Sequence, residues 1–382
     1  MGQKVLIITG TRAEYGRLFP IIKAIEESEI LELQLVVTGM HLLHDFGYTV
    51  EEIKKDNIPI SAEFKMFNYG HDNAGMVKAL GEGIKGFTEV VEDLKPDFIL
   101  VLGDRGEALV GAIVGSHMNI PVIHMHGGEV TGSIDESIRH AITKFAHIHF
   151  AATEESAIRI NKLGENPSQI YNVGSPGLDS IINGPFLNPK QIAELIGIEP
   201  DEKTILLIQH PVTSEYDNAA TQMKETLVAI KDLGYKIIII YPNADAGGVE
   251  MIKEIEKIKE LPNIYAFSNL SHKVYLSLLK YIGVLVGNSS SGIMEAPSFG
   301  LPVVNIGTRQ GGRERAKNII DVDYNAEKIR QAIQKSLSDE EYRSTCKECG
   351  NPYGDGKTGA RVVEILSNIK ITADIISKKI TY

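Results

Sequence analysis

The sequence predicts an α/β protein of two Rossmann-like domains facing across a cleft, and three observations carry that expectation. A chain of 382 residues exceeds the roughly 250–300 residues at which a single hydrophobic core stops growing. Short β-branched runs ending in Gly, Asp or His alternate with longer amphipathic stretches. These runs are continuously apolar rather than alternating, which marks parallel strands buried on both faces under helices. The resulting βαβ rhythm is that of a doubly wound sheet, and it occurs twice.

In the first half the predicted strands are Val5–Thr9, Leu33–Thr38, Phe98–Leu102, Pro121–Met125 and His147–Ala151. In the second they are Ile170–Val173, Thr204–Ile208, Lys236–Tyr241, Asn263–Phe267, Val284–Val286 and Pro302–Ile306. Helices are expected at Leu18–Glu27, Thr221–Leu233, Val249–Lys259 and Tyr275–Tyr281. Gly and Pro accumulate between Lys162 and Pro200, so the domain crossing is placed there, with domains at 1–168 and 169–358. A second cluster, Gly350–Gly356, precedes a last helix (Thr358–Ile376), and residues 359–382 are expected to return to the first domain.

Composition narrows the ligand. Lys and Arg total 39 against 50 Asp and Glu, a formal charge of −11, which argues against nucleic acid and anionic membrane surfaces as partners. No apolar run approaches the roughly 20 residues of a membrane span, and the apolar stretch at Val5–Ile8 is too short for a signal segment. A cytoplasmic protein is the expectation. Two cysteines exclude a disulfide scaffold, and the lone Cys346-Lys347-Glu348-Cys349 is weak for zinc and reads as a surface coincidence.

Ligands of open α/β sheets sit outside the carboxyl ends of the strands. Those ends carry Gly10-Thr11-Arg12, Gly39-Met40-His41, Gly103-Asp104-Arg105, His126-Gly127-Gly128-Glu129, Gln209-His210, Pro242-Asn243, Asn288-Ser289-Ser290 and the run from Gly307 through Arg309 to Arg313. Seven of eleven arginines lie in or beside these loops, and none occurs between Arg159 and Arg309. Arg suits bidentate phosphate contacts, so a diphosphate ligand is the economical inference. Ser289 and Ser290 open a helix after a buried strand, a cradle for phosphate. Glu295 would fall one turn into that helix, where it either takes ribose hydroxyls or simply complements the helix N-terminus. No Walker A or dinucleotide fingerprint is present, which disfavours ATP hydrolysis and NAD chemistry.

Asp104, Asp135, His126 and Glu129 are the acid–base candidates. Asp104 ends a strand expected to be buried, where an acid without a role is costly. Asp135 sits in a Ser133–Glu136 capping box one turn before Arg139, and a structural role would satisfy that spacing. Six of eleven histidines fall between His117 and His149. Alternation puts His124 with His126, and His147 with His149, on one strand face each; a metal site is conceivable, and hydrogen-bonded core histidine is the simpler reading.

Gly10-Thr11-Arg12-Ala13-Glu14, Gly103-Asp104-Arg105, Gly127-Gly128-Glu129, Asp135-Glu136-Ser137-Ile138-Arg139-His140, Gly287-Asn288-Ser289-Ser290 and Gly307-Thr308-Arg309-Gln310 follow in order. With them the chain resembles the UDP-N-acetylglucosamine 2-epimerases, and most the hydrolysing branch that feeds sialic-acid synthesis. The likeness runs essentially end to end and implies the glycosyltransferase-B architecture and a homodimer or homotetramer. It implies conversion of UDP-GlcNAc and water into UDP and N-acetylmannosamine without metal or nicotinamide, through elimination of UDP to 2-acetamidoglucal. By position Arg12, Arg105, His210, Asn243, Ser289, Ser290, Glu295 and Arg309 resemble the UDP set, to which Arg313 is added. Asp104 and Asp135 resemble the catalytic carboxylates, Arg139 an orienting group, and His41 a residue near the sugar. Many members have Glu where this chain has His126, so His126 or Glu129 takes over that proton transfer. Relatives acting on UDP-2,4-diacetamido-2,4,6-trideoxyglucose share the motifs, which makes that bacillosamine-type sugar the alternative substrate. A glycosyltransferase of the same architecture is the rival from another class, and the Asp135–His140 segment speaks against it.

Overall fold

A computed structural model describes residues 2–44, 48–67, 73–130, 134–242 and 247–382, with the side chains of 73, 134, 135, 213 and 214 outside the description. Backbone contacts divide the chain into two compact units, Met1–Ile182 with Tyr353–Tyr382, and Asn183–Pro352.

The first unit holds seven parallel strands: β1 (Gln3–Thr9), β2 (Leu31–Val37), β3 (Ile60–Glu63), β4 (Phe98–Leu102), β5 (Val122–Met125), β6 (Ile148–Ala151) and β7 (Ile170–Asn172). Their order is β3-β2-β1-β4-β5-β6-β7. Val5 and Ile7 of β1 join one core cluster, and Leu6 and Ile8 join the cluster on the other face. That is the pattern of a strand covered on both sides. The order reverses between β1 and β4, and a crevice at their carboxyl ends is where a doubly wound sheet accepts ligands.

The second unit repeats the plan with β8 (Ile205–Ile208), β9 (Ile237–Ile240), β10 (Ile264–Phe267), β11 (Val284–Gly287), β12 (Val303–Ile306) and β13 (Ile319–Val322), in the order β10-β9-β8-β11-β12-β13. Its switch point lies between β8 and β11.

Four expectations need correction. β7, assigned from sequence to the second domain, pairs with β6 through Phe150 and Tyr171; the Gly/Pro cluster there flanks an edge strand, and the first unit runs on to Ile182. β3 and β13 are short edge strands whose alternating or polar residues hide them from an apolar-run reading. The last helix is two, Thr358–Asn368 and Ala373–Ile376, because Ile369 turns extended in a β-branched stretch of poor helix propensity. Cys346 is not a surface residue: its thiol is fully buried within the helix Glu340–Glu348.

Helix Thr358–Asn368 completes the first core. Val362 and Leu366 join the cluster of Leu18, Ile21, Ile22 and Ile25, and a Cβ at Gly359 would lie 2.8 Å from the Pro20 carbonyl. Only a glycine allows that approach. The Asp179 carboxylate caps the helix, accepting from the N–H groups of Thr358 at 3.0 Å and Gly359 at 2.7 Å. Further on, the Lys378 ammonium donates to the carbonyls of Thr143, Lys144 and Ala146 at 3.0, 2.8 and 2.6 Å. These are the orphan carbonyls at the C-terminus of helix Ile134–Phe145. Glu165 closes the group, receiving Lys378 at 2.5 Å, Lys144 at 2.6 Å and His149 at 3.1 Å. Among the described residues no helix is long and apolar enough to cross a membrane.

Candidate active site

Two polar turns of the first unit converge around Arg139. β4 ends in Gly103, whose left-handed φ of +74° turns the chain toward Asp104. β5 ends in His126, itself at φ +64°, a conformation that a residue with a Cβ adopts only at some cost. It is held there by its N–H, which donates to the Phe150 carbonyl at 3.0 Å. The next residues double back, so that Glu129 Oε1 lies 2.6 Å from His126 Nδ1. Arg139, on helix Ile134–Phe145, pairs with both Asp104 and, at 3.2 Å, Glu129. Its side chain is 5% exposed, those of Asp104 and Glu129 22% and 23%. Asp104 is thus partly exposed and matched by a cation, where the sequence suggested a buried acid.

His126 Nε2 is buried and has no hydrogen-bond partner. His126 Nδ1 faces the Glu129 carboxylate, which leaves the buried Nε2 as the ring nitrogen open to a ligand. His124, two residues earlier, has a structural role: Nε2 meets the Gly103 carbonyl at 2.8 Å and Nδ1 the Thr143 hydroxyl at 3.1 Å. Burial pushes its imidazole down to about 3, so it stays neutral. His149 bonds Glu165. The paired histidines therefore divide between core hydrogen bonding and the candidate site. Asp135 lies on helix Ile134–Phe145, but its side chain, and Ser133 of the expected capping box, are outside the described residues.

The other first-unit candidates surround the β1 and β2 ends. Arg12 opens the first helix, with Nε 2.9 Å from Glu52 and a largely exposed side chain. Arg105 is the N-cap of helix Gly106–His117 and is half exposed, with Nε 3.8 Å from Glu107. His41 is fully buried, its ring nitrogens at 3.2 Å from Thr9 Oγ1 and 2.7 Å from Thr49 Oγ1. Burial lowers it to about 4, so it is neutral and holds the loop.

In the second unit one residue absent from the candidate set organises the strand ends. Asn288 Oδ1 accepts from the His210 N–H at 2.7 Å, and its Nδ2 donates to the His210 carbonyl at 2.9 Å. Its own carbonyl accepts from Arg309 at 3.2 Å and Gln310 at 2.8 Å. Gly287 makes this possible, since a Cβ there would sit 2.0 Å from the Ile208 carbonyl. Three candidate loops are thereby tied to one asparagine. The signal available in the sequence was the Gly-Asn pair closing an apolar strand. Ser289 is the N-cap of Ser290–Met294. That helix is only one turn, so Glu295 is its C-cap rather than a first-turn acid; its carboxylate accepts from Ser291 Oγ at 2.6 Å. Arg313 Nη1 rests 3.4 Å from Met294 Sδ. Asn243 lies outside the described residues.

The model for UDP-N-acetylglucosamine 2-epimerase matches residues 23–367. The chain belongs to the UDP-N-acetylglucosamine 2-epimerase family. Among members of this epimerase family, the UDP-N,N'-diacetylbacillosamine 2-epimerase (hydrolyzing) of Legionella pneumophila is 40% identical over 378 residues, covering 99% of each chain. The UDP-N-acetylglucosamine 2-epimerase of Neisseria meningitidis is 36% identical over 367 residues, covering 96% of this chain and 95% of its own. A solved Listeria monocytogenes structure described as a UDP-N-acetylglucosamine 2-epimerase superposes with a TM-score of 0.80 at 20% identity, covering 96% of each chain. The epimerase of N. meningitidis bound to UDP-GlcNAc gives 0.76 at 21%, covering 95% of this chain and 99% of that one. The two parallel-sheet units are those of the glycosyltransferase-B architecture, and the chain is an enzyme of UDP-sugar 2-epimerisation.

Proposed function

We propose that this epimerase is the hydrolysing kind and acts on UDP-2,4-diacetamido-2,4,6-trideoxyglucose, releasing UDP and the free 2-epimerised sugar. The relative from L. pneumophila, matched end to end at 40% identity and named for that hydrolysis, supports the reading most. A Campylobacter jejuni relative named for GDP/UDP-N,N'-diacetylbacillosamine, 37% identical over 343 residues, supports it further. UDP-GlcNAc, giving N-acetylmannosamine, is the second reading, favoured by the N. meningitidis relative.

The chemistry sets what the residues must do. A proton at C2 beside an acetal is not acidic until the C1–O bond has largely broken, so the leaving diphosphate must be stabilised first. In the second unit Ser289, Ser290, His210, Arg309 and Arg313 take the nucleotide, Glu295 takes the ribose hydroxyls, and Asn243 joins them. In the first, Arg12 and Arg105 take diphosphate charge. C1–O cleavage releases UDP as a base removes the C2 proton, leaving the glycal. Water then adds at C1 while a proton returns to C2 on the opposite face. His126 Nε2, with Glu129 beside the opposite ring nitrogen, is the base for the first transfer. Asp104, paired with Arg139, and Asp135 serve the second face, and His41 fixes the loop beneath the sugar.

The test is NMR of products from both sugars in D₂O. One deuteron at C2 of a free sugar is expected, with faster turnover of the diacetamido substrate. A UDP-linked product moves the chain to the non-hydrolysing branch, and a requirement for an acceptor moves it to glycosyl transfer.

A further inference from the structure

Glu14 and Glu107 have no part in the chemistry assigned above, yet they are 4% and 2% exposed. They lie in the first turns of helices Arg12–Glu26 and Gly106–His117, which start at the ends of β1 and β4. Glu14 Oε2 accepts from the Gly10 N–H at 2.7 Å. Glu107 lies over the same glycine: a Cβ on Gly10 would come within 2.4 Å of Glu107 Cγ, and one on Gly39 within 2.5 Å of Glu107 Oε1. Both carboxyl groups keep a buried Oε1 with no hydrogen-bond partner. Two ionised carboxylates so placed would each be desolvated and would repel one another.

Arg105 is the cation that reaches the pair, with Nε 3.8 Å from Glu107 Oε2 and its side chain 48% exposed. His41 packs against the same loop, its N–H donating to the Gly10 carbonyl at 3.2 Å, but both ring nitrogens are engaged and it brings no charge. Behind it Tyr15 donates to Asp56 at 2.9 Å, leaving that acid turned outward.

We propose that Glu14 and Glu107 are a positioning pair in which Glu14 keeps its proton, and that the single negative charge of the pair holds Arg105 in place to receive the diphosphate. This rests on the assignment of Arg105 to the UDP-sugar. Burial, and then the charge of Glu107, push the Glu14 carboxyl up to about 8, so the proton is kept at neutral pH and lost in mild alkali. The second charge then draws the guanidinium inward and opposes the anionic ligand. The glycines at 10 and 39 are read as space left for this pair.

The probe is UDP, titrated calorimetrically from pH 6.5 to 9.5 into wild type, Glu14→Gln and Glu107→Gln. Neither variant can place two charges beside Arg105. Wild-type affinity should fall across pH 8 by roughly fivefold or more beyond any fall in the variants, as a new charge a few ångströms from the guanidinium requires. Three parallel curves overturn the proposal. Unfolding midpoints separate it from the functional reading. Because Glu14 keeps in the fold a proton that the unfolded chain releases, wild type should lose stability relative to Glu14→Gln as pH rises toward 8. That loss, with no UDP bound by any protein, refutes the ligand assignment and upholds the proton on Glu14; its absence refutes that proton.

Discussion

Replacing Arg139 with Met removes the charge at the centre of the first-unit cluster while keeping an unbranched stem that packs similarly. Two carboxylates lose their cation, Asp104 and Glu129, and the arginine removed is 5% exposed. Hydrogen bonds to charged groups are worth about 1.5–3 kcal/mol each, which gives an upper figure of about 6 kcal/mol for two. The carboxylates are 22% and 23% exposed, so water recovers part of the loss, and about 3 kcal/mol is the working value. At roughly 2–4 °C per kcal/mol for a unit of this size, the Tm should fall by about 6–12 °C. Scanning calorimetry at low salt and at 0.5 M NaCl (roughly a 4 Å screening length) measures it. A buried network should keep most of its effect in salt, and Arg139→Lys should recover part of the loss by restoring one of the two pairs. A drop of under about 2 °C, or one abolished by salt, would show that Arg139 does not hold this cluster together.

His126→Gln removes the Nε2 base, and kcat should fall by about 10²–10⁴ with UDP affinity unchanged; a rate within threefold of wild type would transfer the proton to Asp104 or Asp135. Arg309→Ala should weaken UDP by about 10- to 150-fold, the equivalent of one charged hydrogen bond, and calorimetry giving an unchanged Kd would displace it from the nucleotide site. Burial raises the Glu165 carboxyl, but hydrogen bonds from His149, Lys144 and Lys378 outweigh it and hold the group at about 2. A depressed carboxylate stabilises above its unfolded pKa and loses that contribution as pH falls from about 4.5 toward 2. Glu165→Gln should therefore lower the Tm at pH 7 and differ little from wild type near pH 2; a pH-independent deficit would mean a packing defect instead.

The central strands were legible because β4, β5, β6 and β8 are continuously buried, and a doubly covered strand writes itself as an apolar run. β3 and β13 cover the sheet edges with mixed residues, and no local pattern distinguishes them from loops. The candidate site was legible at strand ends, where Asp104, His126 and Arg309 stand in polar turns after apolar runs. What stayed hidden depends on contacts distant in sequence. Asn288 matters because His210, 78 residues away, needs both its backbone groups satisfied. Glu14 reads as an ordinary first-turn acid until the fold brings Glu107 to the same glycine. Cys346 sits in a charged stretch whose one inward face takes it out of solvent.

Helix Thr358–Asn368 seals the core that β1 begins, with Val362 and Leu366 in one cluster with Val5 and Ile7. During synthesis the whole second unit, Asn183–Pro352, is polymerised before that helix. The first unit has by then been exposed longer, with Leu18, Ile22 and Ile25 still uncovered. Its closure is a contact across almost the full chain length, among the costliest to form by diffusion. The later-made unit can thus finish first, and the unit carrying His126 and Arg139 acquires its final packing last. A released chain that ends before residue 358 would hold all of the second unit, and its first unit would keep an open apolar groove over Leu18, Ile22 and Ile25, a natural point for a chaperone to hold.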